Sequence, residues 1–282
     1  MFKNFNPNAL GFHASFHETI DLANLGGFEG IDLNIPEIMD LLKRSSVSDI
    51  KNLLGELRLG GWALPVDFRG SEEKYERDLK SLPALAETAD KIGCYRAFTW
   101  ITPFSDNLPF EENFELHVRR LKRVAEILED YGCLLGLEFV APKTLRTGHK
   151  YEFICTMDGA LSLCNAIGTE NVGLLLDSWH WYTSHGTLEQ IRGLKGGQIV
   201  YVHINDAPQG IPIDEQRDNV RRLPGETGVI DIVGFLRALM EIRYDGPVTP
   251  EPFDERLRSL PIREAVKKSG EAVNKVWSLL GL

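Results

Sequence analysis

Asn171–Trp181, NVGLLLDSWHW, is the stretch whose reading decides the fold. Val172, Leu174, Leu175 and Leu176 form a short, nearly continuous apolar run, which suits a strand covered on both faces, as in a parallel sheet. Asp177 is the first charge after that run. A carboxylate at the carboxyl end of a parallel strand lies where barrels and open α/β sheets build their sites.

The same pattern recurs three times. Gly132–Glu138 (GCLLGLE) runs into Glu138, Gln198–His203 (QIVYVH) into His203, and Gly246–Glu251 (GPVTPE) into Glu251. In a closed parallel barrel all strand ends open onto one rim, so four successive strands would bring Glu138, Asp177, His203 and Glu251 to one point. Three carboxylates and an imidazole there repel one another unless a cation sits between them. Oxygen-rich ligation with one nitrogen favours a divalent ion, Mn²⁺ or Mg²⁺ first and Co²⁺ or Zn²⁺ next.

With 282 residues the chain is long enough for one large core, and residues 1–282 read as a single domain. The N-terminus MFKNFNPNAL has no apolar segment of signal-peptide type and nothing approaches eighteen uninterrupted apolar residues, which predicts a cytoplasmic protein without a membrane span. Cys94, Cys133, Cys155 and Cys164 lack CxxC spacing and lie in or beside apolar runs, as reduced, buried thiols do. A net charge of −10 argues against a nucleic-acid surface.

Taken in order, the chain alternates strand and helix. Strands are expected at Leu10–Ala14, Gly30–Asn34, Leu59–Val66 and Cys94–Trp100, then at the four runs above. Between them, helices are expected near Thr19–Leu25, from Pro36, from Ser48 as N-cap, over Ser71–Ile92, Glu111–Asp130 and Met157–Ile167, after Thr187 and after Asp231, with a last one from Pro261. Ser48 should place Leu53, Leu54 and Leu57 on one face. A loop rich in Pro, Gly and charge spans Asn205–Val229. Eight alternations without a break in composition point to an α/β protein, a single (β/α)₈ barrel.

With these four residues placed, the chain resembles the xylose-isomerase-like TIM barrels, a superfamily of sugar and sugar-phosphate isomerases and epimerases that includes endonuclease IV. The likeness covers essentially the whole chain and rests on LGLEFV around Glu138, LLLDSWHWY around Asp177, YVHINDAP around His203, RRLPGETGVID at Arg221–Asp231 and VTPEPF around Glu251. It implies one divalent metal on Glu138, Asp177, His203 and Glu251, with both glutamates also moving protons on a keto-sugar, sugar phosphate or related polyol through an enediolate. It further implies that His180 and Arg221, or the neighbouring Arg222, touch substrate oxygens. Trp100 is expected to wall the pocket or to fill the barrel mouth.

Return of the proton to the opposite face gives epimerisation, and return to the adjacent carbon gives aldose–ketose isomerisation. Loss of a β-hydroxyl gives a dehydratase acting on a keto-polyol such as an inosose. An endonuclease IV-like activity fits poorly, since ALPVDF and AFTWIT at the third and fourth strand ends carry no histidine and no Asp-x-His follows His203. A non-catalytic sugar-binding barrel would need no pair of glutamates. The expected partner is therefore a small sugar or polyol, with no nucleic acid and no membrane, and a homo-oligomer is left open. The Lys143–Lys150 loop, basic in an acidic protein, would suit a phosphate or carboxylate, with a solvated loop as its plainer reading. Each site residue also has a plainer reading: Asp177 and Glu251 as helix caps and His203 as a core histidine.

Overall fold

The computed structural model describes residues 1–282. Its strands, in chain order, are β1 (Phe2–Phe5), β2 (Gly30–Ile31), β3 (Arg58–Leu59), β4 (Trp62–Ala63), β5 (Arg96–Ile101), β6 (Phe104–Ser105), β7 (Leu134–Phe139), β8 (Tyr151–Glu152), β9 (Val172–Asp177), β10 (Ile199–Ile204) and β11 (Pro247–Pro250). Helices α1 (Phe16–Gly26), α2 (Ile35–Leu42), α3 (Val47–Leu54), α4 (Glu72–Ile92), α5 (Phe110–Glu129) and α6 (Lys143–Arg146) fill the first half. The second half adds α7 (Met157–Ile167), α8 (Ser178–Thr183), α9 (Leu188–Arg192), α10 (Ile232–Glu241), α11 (Glu255–Arg258) and α12 (Ile262–Leu280).

Nine strands make one parallel sheet in the order β3-β2-β1-β11-β10-β9-β7-β5-β4. β3 and β4 are two halves of one stave, so the ends of that order meet and the sheet closes as a (β/α)₈ barrel. The predicted strand Leu59–Val66 is split because Gly60 and Gly61 cross the barrel at a point of very close approach. A Cβ on Gly60 would lie 2.4 Å from Asn4 Oδ1, and one on Gly61 would lie 2.7 Å from the Arg96 carbonyl oxygen.

Other boundaries also moved. The first strand is Phe2–Phe5, not Leu10–Ala14: Pro7 opens a 3₁₀ turn over Asn8–Leu10 that Gly11 ends at φ 84°, so Leu10 is buried by a turn. A short apolar run carries no period of its own, so its sequence does not separate a turn from a strand. The second strand stops at Ile31 because Asn34 caps α2. Ser46, rather than Ser48, caps α3 through a reciprocal box with Asp49, and this leaves Leu53 outside the buried face that holds Leu54. Cys94, Cys133 and Cys164 are buried, but Cys155 is only half-buried. No helix is long and apolar enough to cross a membrane.

Inside the barrel a polar knot ties four staves together just beneath the rim. Asn4 Nδ2 lies 2.9 Å from Asp32 Oδ1, from Tyr201 Oη and from Thr249 Oγ1, and Tyr201 Oη donates to Asp32 Oδ2 at 2.7 Å. Burial lifts the Asp32 carboxyl to about 6, against the pull of these donors. Outside the knot, apolar side chains of sheet and helices form one continuous cluster. Over the mouth, β6 and β8 pair antiparallel and draw the loops after β5 and β7 together, which fixes Phe104 as a wall of the cavity described next.

Candidate metal centre and substrate pocket

The four staves β7, β9, β10 and β11 are neighbours in the order β11-β10-β9-β7. Their carboxyl ends therefore converge, and one ligand atom from each of Glu138, Asp177, His203 and Glu251 lies within 4.8 Å of the others. His203 Nδ1 faces both glutamates, 3.3 Å from Glu138 Oε1 and 3.5 Å from Glu251 Oε2. Its Nε2 is buried without a hydrogen-bond partner.

The electrostatics of this cluster call for positive charge. Burial alone would strip the proton from His203, but Glu251, Glu138 and Asp177 outweigh it and raise the ring to about 9. Burial also raises Glu138 to about 7, and Glu251 moves up for the same reason. Asp177 moves the other way: burial opposes its charge, but Arg221, His180 and His203 together with the Trp179 N–H outweigh it and hold the carboxyl below the usual carboxylate range. Three oxygens and one nitrogen, close enough to share one small ion, fit a divalent cation.

Asp177 is held from two sides. Its Oδ1 accepts from Trp179 N–H at 2.7 Å and from Asn205 Nδ2 at 2.9 Å, and its Oδ2 accepts from Arg221 Nη1 at 2.8 Å. The first contact makes it the N-cap of α8, so the plainer reading of Asp177 is true alongside the other. Arg221 Nη1 also donates to Glu251 Oε2 at 2.9 Å, and Nη2 to Asp218 Oδ1 at 2.8 Å. Arg222 instead turns to the Arg221 carbonyl and pairs along the backbone with Asp206. Arg221 is thus the arginine that enters the site, flanked by the rings of Phe253 and Trp179. Phe253 has φ 38°, a left-handed backbone that a bulky aromatic side chain disfavours.

The backbone sets the tautomer of His180. Ala141 N–H donates to His180 Nδ1 at 3.2 Å, and burial holds the ring neutral by lowering it to about 4. A neutral ring that accepts at Nδ1 carries its hydrogen on Nε2. That nitrogen lies 3.4 Å from Arg221 Nη2, so the imidazole and the guanidinium stand side by side at the cavity wall. The cavity has a volume of about 480 Å³; its polar lining includes Glu138, His180, Asp218, Arg221 and Glu251, and its apolar lining includes Trp100, Phe104, Val140, Leu145 and Phe253. Trp100 lines it as a wall and remains 46% exposed. In the Lys143–Lys150 loop, Lys143 pairs with Asp214 and Arg146 with Glu152.

A second cavity of about 410 Å³ opens at the other side of the rim, beside Asn6, His13, Asp32 and Glu37. None of the four clustered residues reaches it.

The profile of the xylose isomerase-like TIM barrel family matches residues 20–275. The chain belongs to this family. Among solved structures, a xylose isomerase domain protein from Alicyclobacillus acidocaldarius is 28% identical and superposes with a TM-score of 0.87, covering 100% of both chains. Among curated proteins, an inosose isomerase of Bacillus velezensis is 26% identical over 97% of this chain and 96% of its own. A 3-dehydroshikimate dehydratase of Pseudomonas aeruginosa is 26% identical over 94% of this chain but 39% of its own length.

Two functional neighbours were not legible in this xylose isomerase-like chain. Asn205 lies two residues after His203 and orients Asp177, an alternation visible in HIND only once the partner is known. Asp218 lies in the irregular loop before Arg221, where no periodicity marks which charge turns inward.

Proposed function

We propose that the protein is a metal-dependent isomerase or epimerase of a keto-sugar or related polyol, with Glu138 and Glu251 as its acid–base pair. The observation that carries this reading is that two glutamates from staves separated by two others face one cavity, beside a pair of converging N–H donors. Held by Glu138, Asp177, His203 and Glu251, a divalent ion would supply Lewis acidity toward a ketone and its neighbouring hydroxyl. The donor set suits Mn²⁺ or Mg²⁺ first and Co²⁺ or Zn²⁺ next.

One glutamate removes the proton from the carbon beside the ketone, and the other returns it. As negative charge grows on the ketone oxygen, His180 Nε2–H and the adjacent Arg221 Nη2–H are placed to donate to it. Trp100, Phe104 and Phe253 cover the apolar faces of the substrate and keep water from the intermediate. A second reading, dehydration of a keto-polyol, begins with the same proton abstraction and is favoured by the similarity to the 3-dehydroshikimate dehydratase.

The test is reconstitution. Chelator-treated protein titrated with Mn²⁺ should take up one ion per chain and regain conversion of an inosose or a free ketose, followed by NMR. Asp177→Asn should lose both. Binding of two or more ions per chain, or full conversion in excess chelator, would contradict the reading.

A further inference from the structure

We propose that this pocket takes an electroneutral polyol ketone and that Asp218 makes it refuse anionic ones, whether phosphorylated or carboxylated. The inference rests on the proposed isomerase-type site and names its substrate class. It is carried by how Arg221 is used. Arg221 is the only Lys or Arg lining the cavity, and it is 1% exposed. Its Nη1 is taken by Asp177 and Glu251, its Nε by the Asp218 carbonyl at 2.9 Å, and one side of its Nη2 by the Asp218 carboxylate. The donor that remains lies beside His180 Nε2–H, which provides for a single oxygen, not for the several oxygens of a phosphate or the paired oxygens of a carboxylate.

The charge balance points the same way. Glu138, Asp177, Asp218 and Glu251 are four carboxylates against one guanidinium, so even a divalent cation leaves the site negative. Bringing a further anion beside these carboxylates sets like charges together, which disfavours it. Three rim cations are engaged with other groups. Lys143 and Arg146 are paired with Asp214 and Glu152, and Arg69 stacks on Trp100 and donates to its carbonyl. Arg217 lines an adjoining recess with Thr144 and Asn219, and Asp218 lines both that recess and the cavity. The remaining lining of Trp100, Phe104, Val140, Leu145 and Phe253 is suited to the C–H faces of a ring.

The experiment uses the full-length, Mn²⁺-loaded protein. Equilibrium binding of two unreactive rings, the neutral myo-inositol and the anionic shikimate, is measured by calorimetry. The ratio of kcat/KM for an inosose over 3-dehydroshikimate, and for D-fructose over its 6-phosphate, is measured alongside. Wild-type protein should favour the neutral member of each pair by at least roughly tenfold. Asp218→Asn and Asp218→Ala, each checked for one Mn²⁺ per chain, should shrink that ratio by roughly tenfold, whereas a purely structural role would weaken both members equally. Wild-type preference for the anion, failure to bind either ring, or an unchanged ratio in both variants would overturn the inference. Retained preference for myo-inositol with no proton exchange on any ketone would instead sink the proton-transfer reading and leave this one standing.

Discussion

His180 carries its proton on Nε2 because the Ala141 N–H occupies Nδ1, and this small fact decides what the residue can do. It is a donor to the cavity rather than a base. His180→Ala should therefore lower kcat by roughly 10² to 10³, the usual loss for one donor to a developing oxyanion, while Mn²⁺ stoichiometry stays at one. Loss of the ion together with activity would show that His180 serves the metal cluster instead. At this scale the sequence was most legible where a chemically distinct residue ended an apolar strand, as Glu138, Asp177 and His203 do. It was least legible where geometry depends on the tertiary surroundings. The left-handed Phe253, which covers Arg221, gives no sign of its φ in VTPEPF.

Between the residues and the barrel stands the long loop after β10, which delivers both Asp218 and Arg221. Its clasp is Asp206, fully buried, whose carboxylate accepts backbone N–H groups of Thr227, Gly228 and Ile230 at 2.7–2.9 Å. Asp206→Ala leaves those donors without their partner. It should cost at least about 2 kcal/mol and make the Asn205–Val229 segment the first site of limited proteolysis. An uncut loop in that variant would show that other contacts hold it.

At the closure of the helix ring, a Cβ on Gly270 of α12 would lie 2.0 Å from the Gly26 carbonyl oxygen of α1. Because the obstacle is backbone, Gly270→Val should lower stability by about 1–3 kcal/mol in denaturant unfolding. An unchanged midpoint would mean that the two helices slide apart freely. Long periodic helices such as α4 and α5 were readable to within a residue or two, since many apolar positions vote on one face. The first three staves were not: β2 and β3 are two residues each and are set by barrel closure rather than by any pattern of their own.

For the molecule as a whole, the barrel brings together four side chains spread from residue 138 to residue 251, and its charge of −10 surrounds them. That field should keep DNA away, so an abasic duplex should remain uncut by Mn²⁺-loaded protein; nicking that vanishes in Asp177→Ala would contradict this. An ion that bridges four staves should also stabilise the closed barrel by about 2.7 kcal/mol at a hundredfold excess over its Kd, which a thermal melt with and without Mn²⁺ would register.

In the proposed reaction Glu138 and Glu251 move a carbon-bound proton. This is tested most directly by deuterium incorporation from D₂O into an inosose or ketose, with wild-type, Glu138→Gln and Glu251→Gln proteins compared at equal Mn²⁺ occupancy. Label should appear at the carbon beside the ketone in wild type, and its rate should fall by roughly 10² to 10⁴ in each variant. Exchange at the wild-type rate in both variants would contradict it.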